Sequence, residues 1–222
     1  MARPREFDKA DVIALAAELF RRKGYQATSM RDLITHLGLS SSSIYGAFGG
    51  KYGLFMAALK HGAEQDKAMV VRALEHPDGL LAGLTALYQG LIDSLLGEDE
   101  GSASLTLRAA LESLDAAAAA SSPDAGAPRR GGSGAGSRTV TPAPDVLDAM
   151  RTHFADLAAV VAERLEAAQG RGELRLKQDA SDLALFILLN AFNLTVVVKL
   201  TRDPERLAAY VRAALDSVAD PP

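Results

Sequence analysis

A chain of 222 residues, 48% of them hydrophobic and 23% charged, has the composition of a globular protein long enough for one small domain and one mid-sized one. It holds no cysteine, which excludes disulfide scaffolds, thiolate metal sites and cysteine catalysis. The net charge is −4, but residues 1–60 carry nine Lys and Arg against five Asp and Glu, a balance of +4 that leaves −8 for the rest. A basic head on an acidic body concentrates attraction for phosphate at the N-terminal end.

The opening MARPREFDKAD has basic residues with no apolar run after them, so no secretory signal is expected and the cytoplasm is the expected compartment. Arg3-Pro4-Arg5 reads as a basic arm. A first helix starts at Asp8 as cap, with Val12, Leu15, Ala16, Leu19 and Phe20 as its apolar stripe, and Gly24 stops it. Arg21, Arg22 and Lys23 complement the dipole of its last turn. Ser29 followed by Asp32 is a capping-box start for a second helix, in which Met30, Leu33, Ile34 and Leu37 recur at helical spacing. Gly38 supplies a left-handed turn, Leu39 an apolar anchor, and Ser40 a cap for a third helix with Ile44 and Phe48 turned inward. Two short helices joined by a tight turn are a helix-turn-helix, and its outer face is Ser41, Ser42, Ser43, Tyr45, Gly46 and Ala47.

From Lys51 to Glu75 the pattern predicts one helix of roughly 35 to 40 Å, ended by His76-Pro77-Asp78. Further helices are predicted over Leu80–Leu96, Ser102–Ala119 (apolar at Leu105, Leu107, Leu111 and Leu114), Asp145 to residue 169, 179–200 and 204–218. Residues 121–144, rich in Gly, Ser, Pro and Ala, predict a flexible loop; the GGSGAG within it follows no strand and lacks the third glycine of a dinucleotide-binding turn. Leu183–Leu200 is apolar nearly all round. It is short of a bilayer span and holds Asn190 and Asn193, so it predicts a helix buried on all sides, one of them against a second subunit. The expected fold is all-α, about nine helices and no strand, with a DNA-binding head at 1–50 and a helical dimerisation body at 51–222.

The run from Phe7 to Phe55 resembles the N-terminal domain of the TetR family of bacterial transcriptional regulators. The resemblance is carried by A-x-x-L-F-x-x-x-G-Y-x-x-T-S from Ala16 to Ser29, L-G-L-S from Leu37 to Ser40, and Y-x-x-F-x-x-K-x-x-L-F from Tyr45 to Phe55. It implies a homodimeric regulator of double-stranded operator DNA, with a small-molecule effector in the helical body and no cofactor. It also implies phosphate contacts at the start of the second helix, at Tyr45 and at Lys51. The family pattern is broken where Gly49-Gly50 precede Lys51 and Tyr52-Gly53 follow it. Gly53 in a first helical turn costs up to about 1 kcal/mol against alanine, which predicts a loose joint there.

Base reading falls to residues near the start of the third helix. Ser40, Ser41, Ser42 and Ser43 offer hydroxyls and Ala47 a methyl, with no Arg, Lys, Asn or Gln among them. Ser29, Tyr45 and Lys51 form the phosphate set, to which Arg31 and His36 are candidate additions. Candidate ligand-lining residues are Tyr88, Ile92, Leu111, Phe154, Leu157, Phe186 and Asn190. His36, His61, His76 and His153 make no metal-binding pair, and there is neither a nucleophile elbow nor a phosphate loop, so no enzyme and no metal site is expected. The expected function is a ligand-responsive repressor that binds an inverted repeat as a dimer. The alternative is a dimeric interaction protein with weak or non-specific DNA binding.

Overall fold

The computed structural model describes residues 7–97, 104–120 and 144–220; the expected loop at 121–144 and the arm Arg3-Pro4-Arg5 lie outside them, apart from Pro144. The described elements are α1 (Lys9–Lys23), α2 (Met30–Leu37), α3 (Ser41–Phe48), α4 (Lys51–Leu74), α5 (Leu80–Leu96), α6 (Leu105–Ala120), α7 (Pro144–Gly170), β1 (Arg175–Leu176), α8 (Ala180–Thr201), α9 (Pro204–Asp216) and β2 (Ala219–Asp220). The all-α expectation holds, with one addition. β1 and β2 pair antiparallel, Arg175 opposite Asp220 and Leu176 opposite Ala219. Two residues per strand are too few to leave a period in the sequence, so the pair was not expected.

The helix starts follow local chemistry. Asp8 accepts from Ala10 N–H at 2.8 Å, and Asp203 accepts from Glu205 and Arg206 N–H at 3.1 and 3.3 Å ahead of Pro204, whose fixed φ suits a first turn. Asp179 caps α8 through Ser181 N–H.

The chain divides into two compact units. One takes the described residues up to Gly62 and those within Ser104–Arg151; the other takes those within Ala63–Ala103 and Thr152–Pro222. The first unit is built on Phe20, Leu33, Ile44, Leu54 and Leu59, joined by Leu105 and Ala109 of α6. The inward face of α6 differs from the expected leucine stripe. Leu105 is buried, but Leu111 and Leu114 are exposed, and Ala109 and Ser113 face the core in their place. Small side chains let α6 lie close to α1, and Ser113 returns its hydroxyl to Ala109 O at 2.7 Å. Leu15 of the expected α1 stripe is also exposed, one residue off the buried row Val12, Ala16, Leu19, Phe20.

In the second unit α5 packs on α8 and α9 around Tyr88, Ile92, Ile187, Leu194 and Leu207. The buried Tyr88 hydroxyl donates to Ile187 O at 2.8 Å, which meets the requirement that a polar atom taken from water keep a partner. Burial pushes the Tyr88 phenol well above its ordinary range. Ala180–Val198 is long and apolar enough to cross a membrane by length and composition, yet Leu183, Ala184, Ile187, Leu188, Leu194 and Val198 are buried in this core. The expectation of burial on all sides is corrected for the single chain: Leu185, Phe186, Leu189, Val196 and Leu200 are exposed, Leu200 at 82%.

Candidate nucleic-acid interface

The head is organised by two capped helices and the turn between them. Ser29 Oγ accepts from Asp32 N–H at 3.1 Å while the Asp32 carboxylate accepts from Ser29 N–H at 2.8 Å, a complete capping box. The Ser29 hydroxyl also donates to Asp32 at 2.6 Å, and Lys23 reaches the same carboxylate at 2.7 Å. Ser29 makes the cap while remaining exposed, and α2 itself presents Arg31 and Thr35 outward. Gly38, at φ 64, closes α2 on Ile34 O and permits the turn into α3.

The Lys23 and Ser29 hydrogen bonds hold the Asp32 carboxyl far below the usual carboxylate range. A carboxyl with a depressed folded value stabilises the fold above its unfolded value near 4 and loses that contribution as pH falls through the folded one. Asp32→Asn is therefore expected to lower the melting temperature of the head at neutral pH and to lessen its decline on acidification. An unchanged acid limb in thermal melts would remove Asp32 from that role.

At the start of α3, Ser40 accepts from Ser43 N–H at 3.1 Å and shares hydroxyl bonds with Ser42 and Ser43 at 2.9 and 2.8 Å. Ser40 is thus the cap of the reading helix, with Ser41 and Ser42 exposed beyond it; Ser43 and Ala47 are half-buried. Tyr45 is 57% exposed, and its ring lies against Gly50, where an added Cβ would stand 2.9 Å from the ring carbon Cε1. Gly50 at φ 114 is the floor under Tyr45, a role the sequence shows only as an unexplained second glycine. His36 is half-buried, with Nε2 enclosed and unpartnered, which removes that nitrogen from any surface contact.

Lys51 opens α4 with its ammonium 4.2 Å from the centroid of the Tyr25 ring. Burial pushes the Lys51 amine down, and the charges of Glu112 and Asp32 oppose that shift. Tyr25 stands in the sequence motif with no role given to it there, and Glu112 was not singled out by the sequence. Glu112 accepts from Tyr25 N–H at 3.0 Å across 87 positions, and no spacing rule reaches so far. Arg31, Ser41, Ser42, Tyr45 and Lys51 therefore all belong to the first unit, with hydroxyls and cations at its helix starts and no carboxylate among them.

Of the residues expected to line a ligand site, Tyr88, Ile92, Phe154, Leu157, Phe186 and Asn190 lie in the second unit, whereas Leu111 is an exposed residue of the first. Ile92 and Leu157 are buried, Phe154 stacks at 5.4 Å on Phe192, and Phe186 is exposed. The polar members have partners within the fold. Besides the Tyr88 bond, Asn190 donates to Phe186 O at 2.8 Å and accepts from the Tyr210 hydroxyl. Their hydrogen bonds account for their presence without a ligand.

A capped helix, a left-handed glycine turn and a second capped helix with an exposed hydroxyl face define a DNA-binding helix-turn-helix protein. Residues 12–58 match the family model described as bacterial regulatory proteins, tetR family. Along its whole length the chain is similar to YezE of Bacillus subtilis (strain 168), an uncharacterized HTH-type transcriptional regulator, with 28% identity over 99% of this chain and 100% of that one. The HTH-type transcriptional repressor BdcR of Escherichia coli (strain K12) is 42% identical over 57 residues, 26% of this chain and 29% of its own. Among solved structures, a cysteine mutant of the TetR family transcriptional regulator CifR, complexed with 26 bp double-strand operator DNA, aligns with a TM-score of 0.71 at 25% identity. That alignment covers 98% of this chain and 100% of CifR. Residues 12–58 thus form a TetR-family DNA-binding domain, and along its length the chain is similar to transcriptional regulators with that domain.

Proposed function

We propose that the protein is a cytoplasmic, homodimeric repressor that binds an inverted-repeat operator and is released by a small molecule. Residues 1–50 read the DNA and residues 51–222 carry the dimer contact and the effector site, for which the apolar core around Ile92, Phe154 and Leu157 is the candidate lining. The observation that carries the reading is the hydroxyl and cation face of the first unit, in a chain similar over its full length to a regulator solved on its operator. Tyr45 and Lys51 take phosphate and orient the head; Ser41, Ser42 and Ala47 meet base edges.

Competition binding at two salt concentrations, on the gene's own upstream DNA against random duplex, tests it. Lys51→Ala should weaken both DNAs alike and reduce the salt slope by about 0.9 per subunit, the loss of one phosphate contact. Ser42→Ala should lower the preference for operator and leave random-DNA affinity in place, with discrimination near the low end of about 1 to 3 kcal/mol per base pair. The absence of Arg, Lys, Asn and Gln from the reading face favours a second reading, a dimeric interaction protein with weak DNA binding. Equal affinity of the wild-type chain for upstream and random DNA would select that second reading.

A further inference from the structure

We propose that Tyr25 is the positioning residue for Lys51: its ring face seats the ammonium at the start of α4, so that the phosphate contact is made by a charge already in place. The inference rests on the reading of Lys51 as a phosphate contact and adds the means by which the contact is preorganised.

A lysine at the first residue of a helix on an exposed stem would sample many rotamers, and ordering it on DNA would cost part of its side-chain entropy. Here the ammonium lies 4.2 Å from the Tyr25 centroid, inside the roughly 6 Å range of a cation–π contact. The ring is itself enclosed. Tyr25 is 5% exposed and wedged between Phe55, Phe20 and Tyr52, at centroid distances of 4.7, 6.3 and 6.2 Å. Its backbone is pinned as well. Tyr25 N–H donates to Glu112 Oε2, and Arg108 holds the other carboxylate oxygen at 3.3 Å and donates to Arg21 O at 3.2 Å. Gly24, at φ 82, is what admits Glu112 to this place, since an added Cβ would stand 1.9 Å from its Oε1. Tyr52, next in the stack, donates its hydroxyl to Asp145 at 3.3 Å. The carboxylates acting on Lys51 are Glu112 and Asp32, both already engaged by Tyr25 N–H, Arg108, Ser29 and Lys23, so the aromatic face is what is left to hold the cation without neutralising it for phosphate.

The test uses the full chain and a random-sequence duplex as probe. In NMR spectra of the free protein, the Lys51 ε-methylene protons, assigned by their loss in Lys51→Ala, should be shifted upfield by the ring; Tyr25→Leu should abolish the shift and Tyr25→Phe restore it. Tyr25→Leu should weaken duplex binding by about threefold per subunit, the lower range of a cation–π contact, and cost nothing further in a Lys51→Ala background. Ordinary ε-methylene shifts in the wild-type chain overturn the proposal on their own, whether or not Tyr25→Leu folds. So does an equal loss from Tyr25→Leu in both backgrounds, which marks the ring as packing only. If Lys51→Ala leaves affinity and salt slope unchanged, it is the phosphate reading that fails, and the inference with it; with a normal Lys51→Ala loss, additivity sinks the inference alone.

Discussion

Gly53→Ala is expected to destabilise the head by about 1 to 2 kcal/mol and to weaken binding to every DNA, although helix propensity alone favours the substitution by up to about 1 kcal/mol. A Cβ built on Gly53 stands 1.8 Å from Phe48 O and 3.0 Å from Phe48 C, the last residue of α3. Both are backbone atoms, so no rotamer change relieves the overlap, and overpacking of this kind costs typically 1 to 3 kcal/mol. Since the first turn of α4 carries Lys51, moving it also moves a cation away from phosphate. Gly46 supplies the contrast within the same unit. A Cβ there meets nothing within 4 Å, so Gly46→Ala should raise stability by the propensity gain. Hydrogen exchange at α3 and α4 amides, with thermal melts of both variants, reads the two signs. If Gly53→Ala protects those amides instead, the close approach of α4 to Phe48 is not a feature of the folded head.

Gly53 also shows where sequence reasoning stops. Read alone, a glycine after Lys51 predicts a loose joint; in the fold it is the residue that lets two helices meet with a two-residue turn between them. The helix starts were legible because a cap is a local event: Asp8, Ser29, Ser40, Asp179 and Asp203 each bond a backbone N–H two or three residues on. The span of α5 from Leu80 to Leu96 was legible from its flanks, the His76-Pro77-Asp78 stop before it and Gly97 after it, although no side chain caps its start. Which face of α6 turns inward was not, because Leu111 and Ala109 are both apolar and only the neighbour decides between them. In the candidate site, Ser41, Ser42, Tyr45 and Lys51 follow from position in the helix-turn-helix. The ring under Lys51, the carboxylate behind Tyr25 and the glycine floor under Tyr45 depend on contacts that spacing does not encode.

Leu189→Glu is expected to convert the proposed dimer to monomer at micromolar concentration while leaving helix content intact. The five large apolar residues that α8 leaves exposed are Leu185, Phe186, Leu189, Val196 and Leu200. With 3.6 residues per turn they fall within an arc of about 100°, and Leu189 lies near its middle. An apolar stripe interrupted only by the exposed Asp182 and Asn193, opposite the buried face of the same helix, is costly to leave in water and suits a self-complementary contact, in which each copy presents the same helix. Because Leu189 is not part of the buried core of its own unit, a carboxylate there costs the monomer little. In a two-fold contact it brings two like charges out of water together, a penalty of several kcal/mol per ion. The effect on DNA should exceed that on the protein: two linked heads gain about 10² to 10⁴ in avidity over one, so operator affinity should fall by that order while affinity for a single half-site stays the same. Sedimentation of wild type and variant, paired with binding to full and half operators, measures both. A Leu189→Glu chain that sediments as the wild type does would place the dimer contact away from this stripe, and the unchanged operator affinity expected in that case would say so independently.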